Sequence, residues 1–125
     1  MAFHDTRLDR ATDKKGKISE LPWSDVQKAL VDGREPIPRF TELMQSFPDL
    51  KVNIDPKLDN AVAPLIQELK QLNALDRVCV GAFSDARLGK FHDEFGEEIC
   101  LSMGPFEVIT ARLSSWGLPK KSFRA

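Results

Sequence analysis

Short apolar runs that alternate with stretches of helical spacing set the strongest limit on how this chain can fold. Leu50-Lys51-Val52-Asn53-Ile54-Asp55 alternates as a strand does. Arg77-Val78-Cys79-Val80-Gly81-Ala82-Phe83 is β-branched and nearly all apolar, and Ile99-Cys100-Leu101-Ser102-Met103 is a further run. Residues 1–5 open with an apolar stub that ends in His4-Asp5. Runs this short and this apolar suit parallel strands covered on both faces. Between them lie helical patterns. Asp59-Asn60 can cap a helix with Val62, Leu65, Ile66, Leu69 and Leu72 on one face, and Pro64 falls near its first turn, where a missing N–H matters least. Ser84-Asp85 caps a second helix through Leu88 and Phe91 to Gly96. Pro105 opens a third, with Val108, Ala111 and Leu113 expected inside and Gly117 and Pro119 as its stop. The longer link after residue 5 holds a turn-rich piece, a helix near Trp23 to Leu30 and another near Phe40 to Phe47.

Strand followed by helix, repeated, predicts an α/β fold with a parallel sheet or barrel. Strands are expected near 1–5, 50–55, 77–83 and 98–103, parallel and side by side in that order. The 125 residues form one expected domain, 1–125. A closed (β/α)₈ barrel takes about 250 residues, so four strand–helix units amount to about half of one.

Charge narrows the function. Eighteen basic residues against nineteen acidic ones leave a net charge of -1, which argues against a general nucleic-acid or membrane-surface protein. No apolar run approaches the ~18 residues of a membrane helix. Met1-Ala2-Phe3-His4-Asp5 is no signal peptide, because charge arrives before an apolar stretch can form, and a cytoplasmic location is expected. Cys79 and Cys100 sit in apolar runs and are expected to be buried, inert thiols.

In α/β barrels the reacting side chains gather at the C-terminal ends of the strands. Two such ends carry polar residues here: His4-Asp5, and Asn53-Ile54-Asp55-Pro56-Lys57. Alternation along a strand lets Asn53, Asp55 and Lys57 point one way. A carboxylate there is a hard oxygen ligand for Mg²⁺ or Ca²⁺, and a lysine is a point charge for a phosphate. A histidine nearby can pass a proton to or from an ester oxygen at neutral pH.

Phe3-His4-Asp5-Thr6-Arg7-Leu8-Asp9-Arg10-Ala11-Thr12-Asp13, with Gly16 and Ile18 after it, resembles the signature of the glycerophosphodiester phosphodiesterase family. Ile37-Pro38 before the Phe40 helix, Asn53-Ile54-Asp55-Pro56-Lys57, and Ala82-Phe83-Ser84-Asp85-Ala86-Arg87-Leu88 resemble its next elements, in order and over nearly the whole chain. The resemblance implies a partial TIM (β/α)₈ barrel, a divalent metal (Mg or Ca), and hydrolysis of a small glycerophosphodiester to glycerol 3-phosphate and an alcohol, in lipid and glycerol metabolism. It implies that His4 is one of two catalytic histidines, Asp55 a metal-binding carboxylate and Lys57 the substrate-side lysine. The family's His-Arg-Gly motif and its Glu-x-Asp metal pair belong before His4, and neither occurs among these residues. The chain is therefore expected to be an internal part of the barrel and inactive by itself. The alternative expectation is a non-catalytic half-barrel that self-associates through open sheet edges.

Other polar residues read more plainly. Phe-His-Asp recurs at 91–93, where His92 is expected to be solvated. Arg10 and Thr12 are expected to fix their loop, Asp13-Lys14-Lys15-Gly16-Lys17 to be a solvated turn, and Lys120-Lys121 a polar tail. Trp23 and Trp116 are expected to pack against strands.

Overall fold

In the computed structural model the described residues, 1–116, fall into two units, Met1–Pro48 and the part from Asp49 on. The first is organised around the buried side chains of Leu8, Val26, Ala29 and Ile37, with Phe3, Ile18, Leu21, Trp23 and Val31 packed on them. Pro22 precedes a short helix, α1 (Trp23–Val26), which buries Val26. The chain then forms an antiparallel hairpin of β1 (Leu30–Val31) and β2 (Glu35–Pro36), with Leu30 opposite Pro36 and Val31 opposite Glu35. Asp32 and Gly33 reverse the chain at φ 50° and 70°. Asp and Gly tolerate that left-handed region better than most residues, so Asp-Gly favours a tight hairpin turn. Helix α2 (Phe40–Ser46) buries Phe40 and Met44, four residues apart on one face. The Glu42 carboxylate accepts from the Arg39 backbone N–H at 2.8 Å and caps its start.

The second unit carries the parallel sheet. Strands β3 (Val52–Ile54), β4 (Val78–Val80) and β5 (Cys100–Leu101) lie in the order β3-β4-β5. Val52 stands opposite Val78, and Asn53, Cys79 and Cys100 share one row across the sheet. Helix α3 (Val62–Leu72) follows β3, α4 (Asp85–Phe95) follows β4 and α5 (Pro105–Ser114) follows β5. Pro64 sits at the third position of α3, within the first turn, where it displaces no intrahelical bond. Ser84 caps α4 by accepting from the Arg87 N–H at 3.3 Å, and Gly96 ends it at φ 57°. Val62, Leu69, Val78, Val80, Leu88, Phe91 and Phe95 are the buried apolar residues of this unit's described strands and α-helices, and Ile99 is buried just before β5. Leu69 and Phe91 are fully buried, and α3 packs against α4.

Several sequence expectations are corrected. Three of the four expected strands form; residues 1–5 do not. The Ala2 N–H reaches the Pro38 carbonyl at 2.9 Å, but Pro36 and Pro38 have no N–H to return, and no ladder develops. The helix expected from Trp23 to Leu30 stops at Val26, because Leu30 and Val31 enter the hairpin. Cys79 is half-buried and Cys100 exposed, on a sheet face that is open within this unit. Val108, Leu113 and Trp116 are exposed rather than inside, since α5 buries no residue fully. Trp23 packs in the first unit, with the Arg39 guanidinium 5.0 Å from its ring centre. The expected stop at Gly117 and Pro119 and the tail at Lys120-Lys121 lie outside the described residues. Among the described residues no helix is long and apolar enough to cross a membrane.

Candidate functional site

The loop leaving β3 brings Asp55 and Lys57 together. Pro56 between them is buried, which turns the chain and sets both flanking side chains on one side of it. Lys57 Nζ donates to Asp55 Oδ2 at 2.5 Å, and the two side chains are 38% and 32% exposed. The loop is held from α4. Arg87 Nη1 donates to the Pro56 carbonyl at 3.2 Å, and its Nε donates to Asp59 Oδ1 at 2.6 Å. The Arg87 guanidinium lowers the Asp59 pKa below the ordinary carboxylate value, by hydrogen bonding first and charge second. Ordering the loop through a charged donor in this way is worth more than an exposed ion pair alone.

His4 belongs to a second constellation, in the first unit. Its Nδ1 lies 2.8 Å from Asp5 Oδ1. A carboxylate only accepts, so the Nδ1 atom carries the proton and Nε2 is left as the acceptor of the neutral ring. Arg10 grips the same carboxylate, with Nε to Oδ2 at 2.6 Å and Nη2 to Oδ1 at 2.9 Å. Those bonds, and the His4 contact after them, hold the Asp5 carboxyl well below the usual carboxylate range. The rest of the loop braces itself. Asp9 accepts from the Gly16 N–H at 3.0 Å, and Thr12 Oγ1 donates to the Leu8 carbonyl at 2.9 Å. His4 itself is 80% exposed, a ring fixed at one nitrogen and open to solvent at the other.

Residues 1–99 match the model of the Glycerophosphoryl diester phosphodiesterase family. The chain belongs to the glycerophosphoryl diester phosphodiesterase family. It is 37% identical over 85 residues to Probable glycerophosphodiester phosphodiesterase 2 of Mycobacterium tuberculosis, covering 68% of this chain and 32% of that protein. It also superimposes, with a TM-score of 0.72 and 18% identity, on the crystal structure of the glycerophosphoryl diester phosphodiesterase domain of an uncharacterized Mycobacterium tuberculosis protein. That likeness covers 93% of this chain and 47% of the other, and it shows the fold: a parallel α/β sheet that is part of a TIM barrel. The chain thus spans about a third of the curated relative's length and about half of the solved domain's.

A metal centre is not complete in what these residues offer. Asp55 supplies one carboxylate, and Lys57 already occupies one of its oxygens. Among the described residues no group of three or more His, Cys, Asp or Glu side chains is placed to hold an ion. Mg²⁺ and Ca²⁺ take about six or more oxygen ligands, so this donor set by itself does not fit either ion. His92 is exposed on α4, 3.9 Å from Glu97, in keeping with a solvated residue. Nothing in the sequence marks Arg87 as more than part of a motif, although its spacing after Ser84-Asp85 places it on the first turn of α4. In the sequence Asp5 is only part of a motif; in the structure its bonds to both His4 and Arg10 give it an orienting place.

Proposed function

We propose that this chain carries part of the active site for hydrolysis of a small glycerophosphodiester to glycerol 3-phosphate and an alcohol. Lys57 is the group that meets the phosphate. Its ammonium neutralises a non-bridging oxygen, and the Asp55 carboxylate holds it at the mouth of the sheet until an anion competes for it. His4 moves the proton. With Nδ1–H on Asp5, its Nε2 can take a proton from an attacking water or, once protonated, give one to the leaving alkoxide. Asp5, fixed by Arg10, keeps the tautomer and stabilises the imidazolium that forms in between. Asp55 would contribute one oxygen ligand to a Mg²⁺ or Ca²⁺ ion whose other ligands these residues do not supply.

The observation that carries the reading is the Asp55–Lys57 pair on the loop that follows β3, within a family whose name is this hydrolysis. A titration with glycerol 3-phosphate, followed by the backbone amide shifts of residues 55–58, tests it. Saturable shifts that Lys57→Ala removes support the assignment; shifts that persist in Lys57→Ala place the phosphate elsewhere. A non-catalytic module remains the second reading. It is favoured by the incomplete donor set around Asp55, and it predicts no response to glycerol 3-phosphate at all.

A further inference from the structure

The register of the parallel sheet runs one row beyond its strands. The Gly81 N–H donates to the Ile54 carbonyl at 2.8 Å, and the Ser102 N–H to the Val80 carbonyl at 2.9 Å. In a parallel ladder those two bonds set Asp55, Gly81 and Ser102 abreast. The row therefore holds a carboxylate, a position with no side chain, and a hydroxyl. Asn53 stands in the row before it, opposite Cys79, and alternation puts it on the same face as Asp55. Its side chain leans toward the Gly81 row. Asn53 Oδ1 is 3.7 Å from the point where a Cβ on Gly81 would stand, and Ser102 Oγ is 3.1 Å from that same point. Asn53 is exposed, and its carboxamide has no hydrogen-bond partner among the described residues. Ser102 Oγ makes one long bond, to the Met103 carbonyl at 3.4 Å. Gly81 is not among the glycines of positive φ, so its backbone does not call for glycine. What the missing Cβ provides is room between two polar side chains. β4 is the middle strand, bonded on both sides, so this recess is walled by β3, β4 and the residue that follows β5.

We propose that the recess over Gly81 takes the neutral hydroxyl groups of the substrate's glycerol moiety, through Asn53 and Ser102, while Lys57 holds the phosphate. The inference rests on that assignment of Lys57 and adds the residues that tell a glycerol ester from a bare phosphate. The chemistry sorts the two ends of the ligand. A hydroxyl both donates and accepts, and so do the Asn53 carboxamide and the Ser102 hydroxyl. A phosphodiester anion only accepts, and the Asp55 carboxylate on one flank of the recess repels it. The distances agree with this division. Lys57 Nζ lies on that same Asp55 carboxylate, and neighbouring strands are about 4.8 Å apart. A three-carbon chain therefore reaches from an anion at Nζ to a hydroxyl over Gly81. Because a site that hydrogen-bonds a hydroxyl leaves its polar groups unpaired with any ligand lacking one, Asn53 and Ser102 act as specificity residues.

Titrating the purified chain with glycerol 3-phosphate and, side by side, with inorganic phosphate tests this through the backbone amide shifts. Glycerol 3-phosphate should bind roughly twofold to tenfold tighter, the worth of one net neutral hydrogen bond. On the unaltered chain, the Gly81 and Ser102 amides should move with glycerol 3-phosphate and stay still with phosphate. Asn53→Ala and Gly81→Ala should each bring the ratio of the two affinities to about one and leave the affinity for phosphate as it was. The methyl of Gly81→Ala meets only side-chain atoms, so this variant carries the test if Asn53→Ala does not fold. Lys57→Ala should weaken both ligands alike. A wild-type chain with no preference overturns the proposal, as does a preference that survives in folded Gly81→Ala, or a loss of phosphate affinity in Asn53→Ala equal to the loss of glycerol 3-phosphate affinity. Binding that Lys57→Ala leaves intact, or no binding of either ligand, overturns the Lys57 assignment and the recess with it. The two failures are distinguishable, because the first is read from the ratio of affinities and the second from their absolute size.

Discussion

Arg87 on α4 donates to the Pro56 carbonyl at 3.2 Å, between Asp55 and Lys57. Its hydrogen bonds go to the backbone between Asp55 and Lys57 and to Asp59, so it acts by placing the loop. Its second bond, to Asp59 at 2.6 Å, keeps the guanidinium plane fixed. Arg87→Ala should lower stability by about 1 kcal/mol, the worth of one charged hydrogen bond with a partly exposed partner. More tellingly, the amides of residues 55–58 should exchange faster while those of β4 do not. Arg87→Lys should fail to restore slow exchange, because one ammonium cannot span both acceptors in the fixed geometry of the guanidinium fork. Unchanged exchange in Arg87→Ala would remove Arg87 from the account.

Lys57 is already satisfied by Asp55 at 2.5 Å, so an arriving phosphate has to compete with a carboxylate. Asp55→Asn should therefore tighten glycerol 3-phosphate binding to the chain, by several-fold if the pair is worth about 1 kcal/mol at its partial exposure. Calorimetry of the two chains side by side measures it. Weaker binding in Asp55→Asn would mean that the carboxylate holds the lysine in place more than it occupies it.

The Asp5 carboxyl is held below its ordinary pKa, first by Arg10 and then by His4. A depressed folded-state pKa stabilises the fold above the ordinary carboxylate value, and that contribution fades as pH falls toward the folded one. The His4–Asp5–Arg10 contacts should thus survive into the range near pH 4 where free aspartates protonate. They should be lost only below it. The carboxyl carbon shift of Asp5, followed from pH 6 downward, should move later than that of a solvated aspartate. Arg10→Ala should bring its midpoint back toward the ordinary value; an Asp5 midpoint that Arg10→Ala leaves in place would assign the shift to another cause.

Local pattern made much of the second unit legible and little of the first. Val62, Leu65, Ile66, Leu69 and Leu72 announce α3 at helical spacing, and Ser84 with Gly96 marks both ends of α4, because caps and periodicity are local signals. Val78-Cys79-Val80 reads as a buried strand for the same reason. The hairpin was missed although Asp32-Gly33 is a turn signal, since the strands on either side are only two residues long and show no alternation. The open side of the chain was unreadable for a different reason. Whether Cys100, Val108 or Trp116 is covered depends on what packs beside β5 and α5, and periodicity reports an apolar face without naming its partner. The Arg87–Pro56 bond spans 31 positions, a distance at which no spacing rule operates.

Hydrolysis by the 125-residue chain alone is the sharpest test of how much of a site it holds. Cleaving a phosphodiester needs charge held around the phosphorus and acid–base groups at both the attacking and leaving oxygens. The described residues offer one candidate lysine, one oriented histidine and one carboxylate, and no cluster of three ligands for a cation. His4 is 80% exposed, so the electrostatic contacts it could make act through water and are weak. With glycerophosphocholine and either Mg²⁺ or Ca²⁺, the chain should show no turnover above a His4→Ala control. Binding of glycerol 3-phosphate at Lys57 should persist under the same conditions, because a single ammonium on an ordered loop suffices for a weak anion contact. That pairing of outcomes separates a partial site from no site. Metal-dependent turnover that His4→Ala abolishes would instead show that a second copy, or other residues of the chain, completes the chemistry.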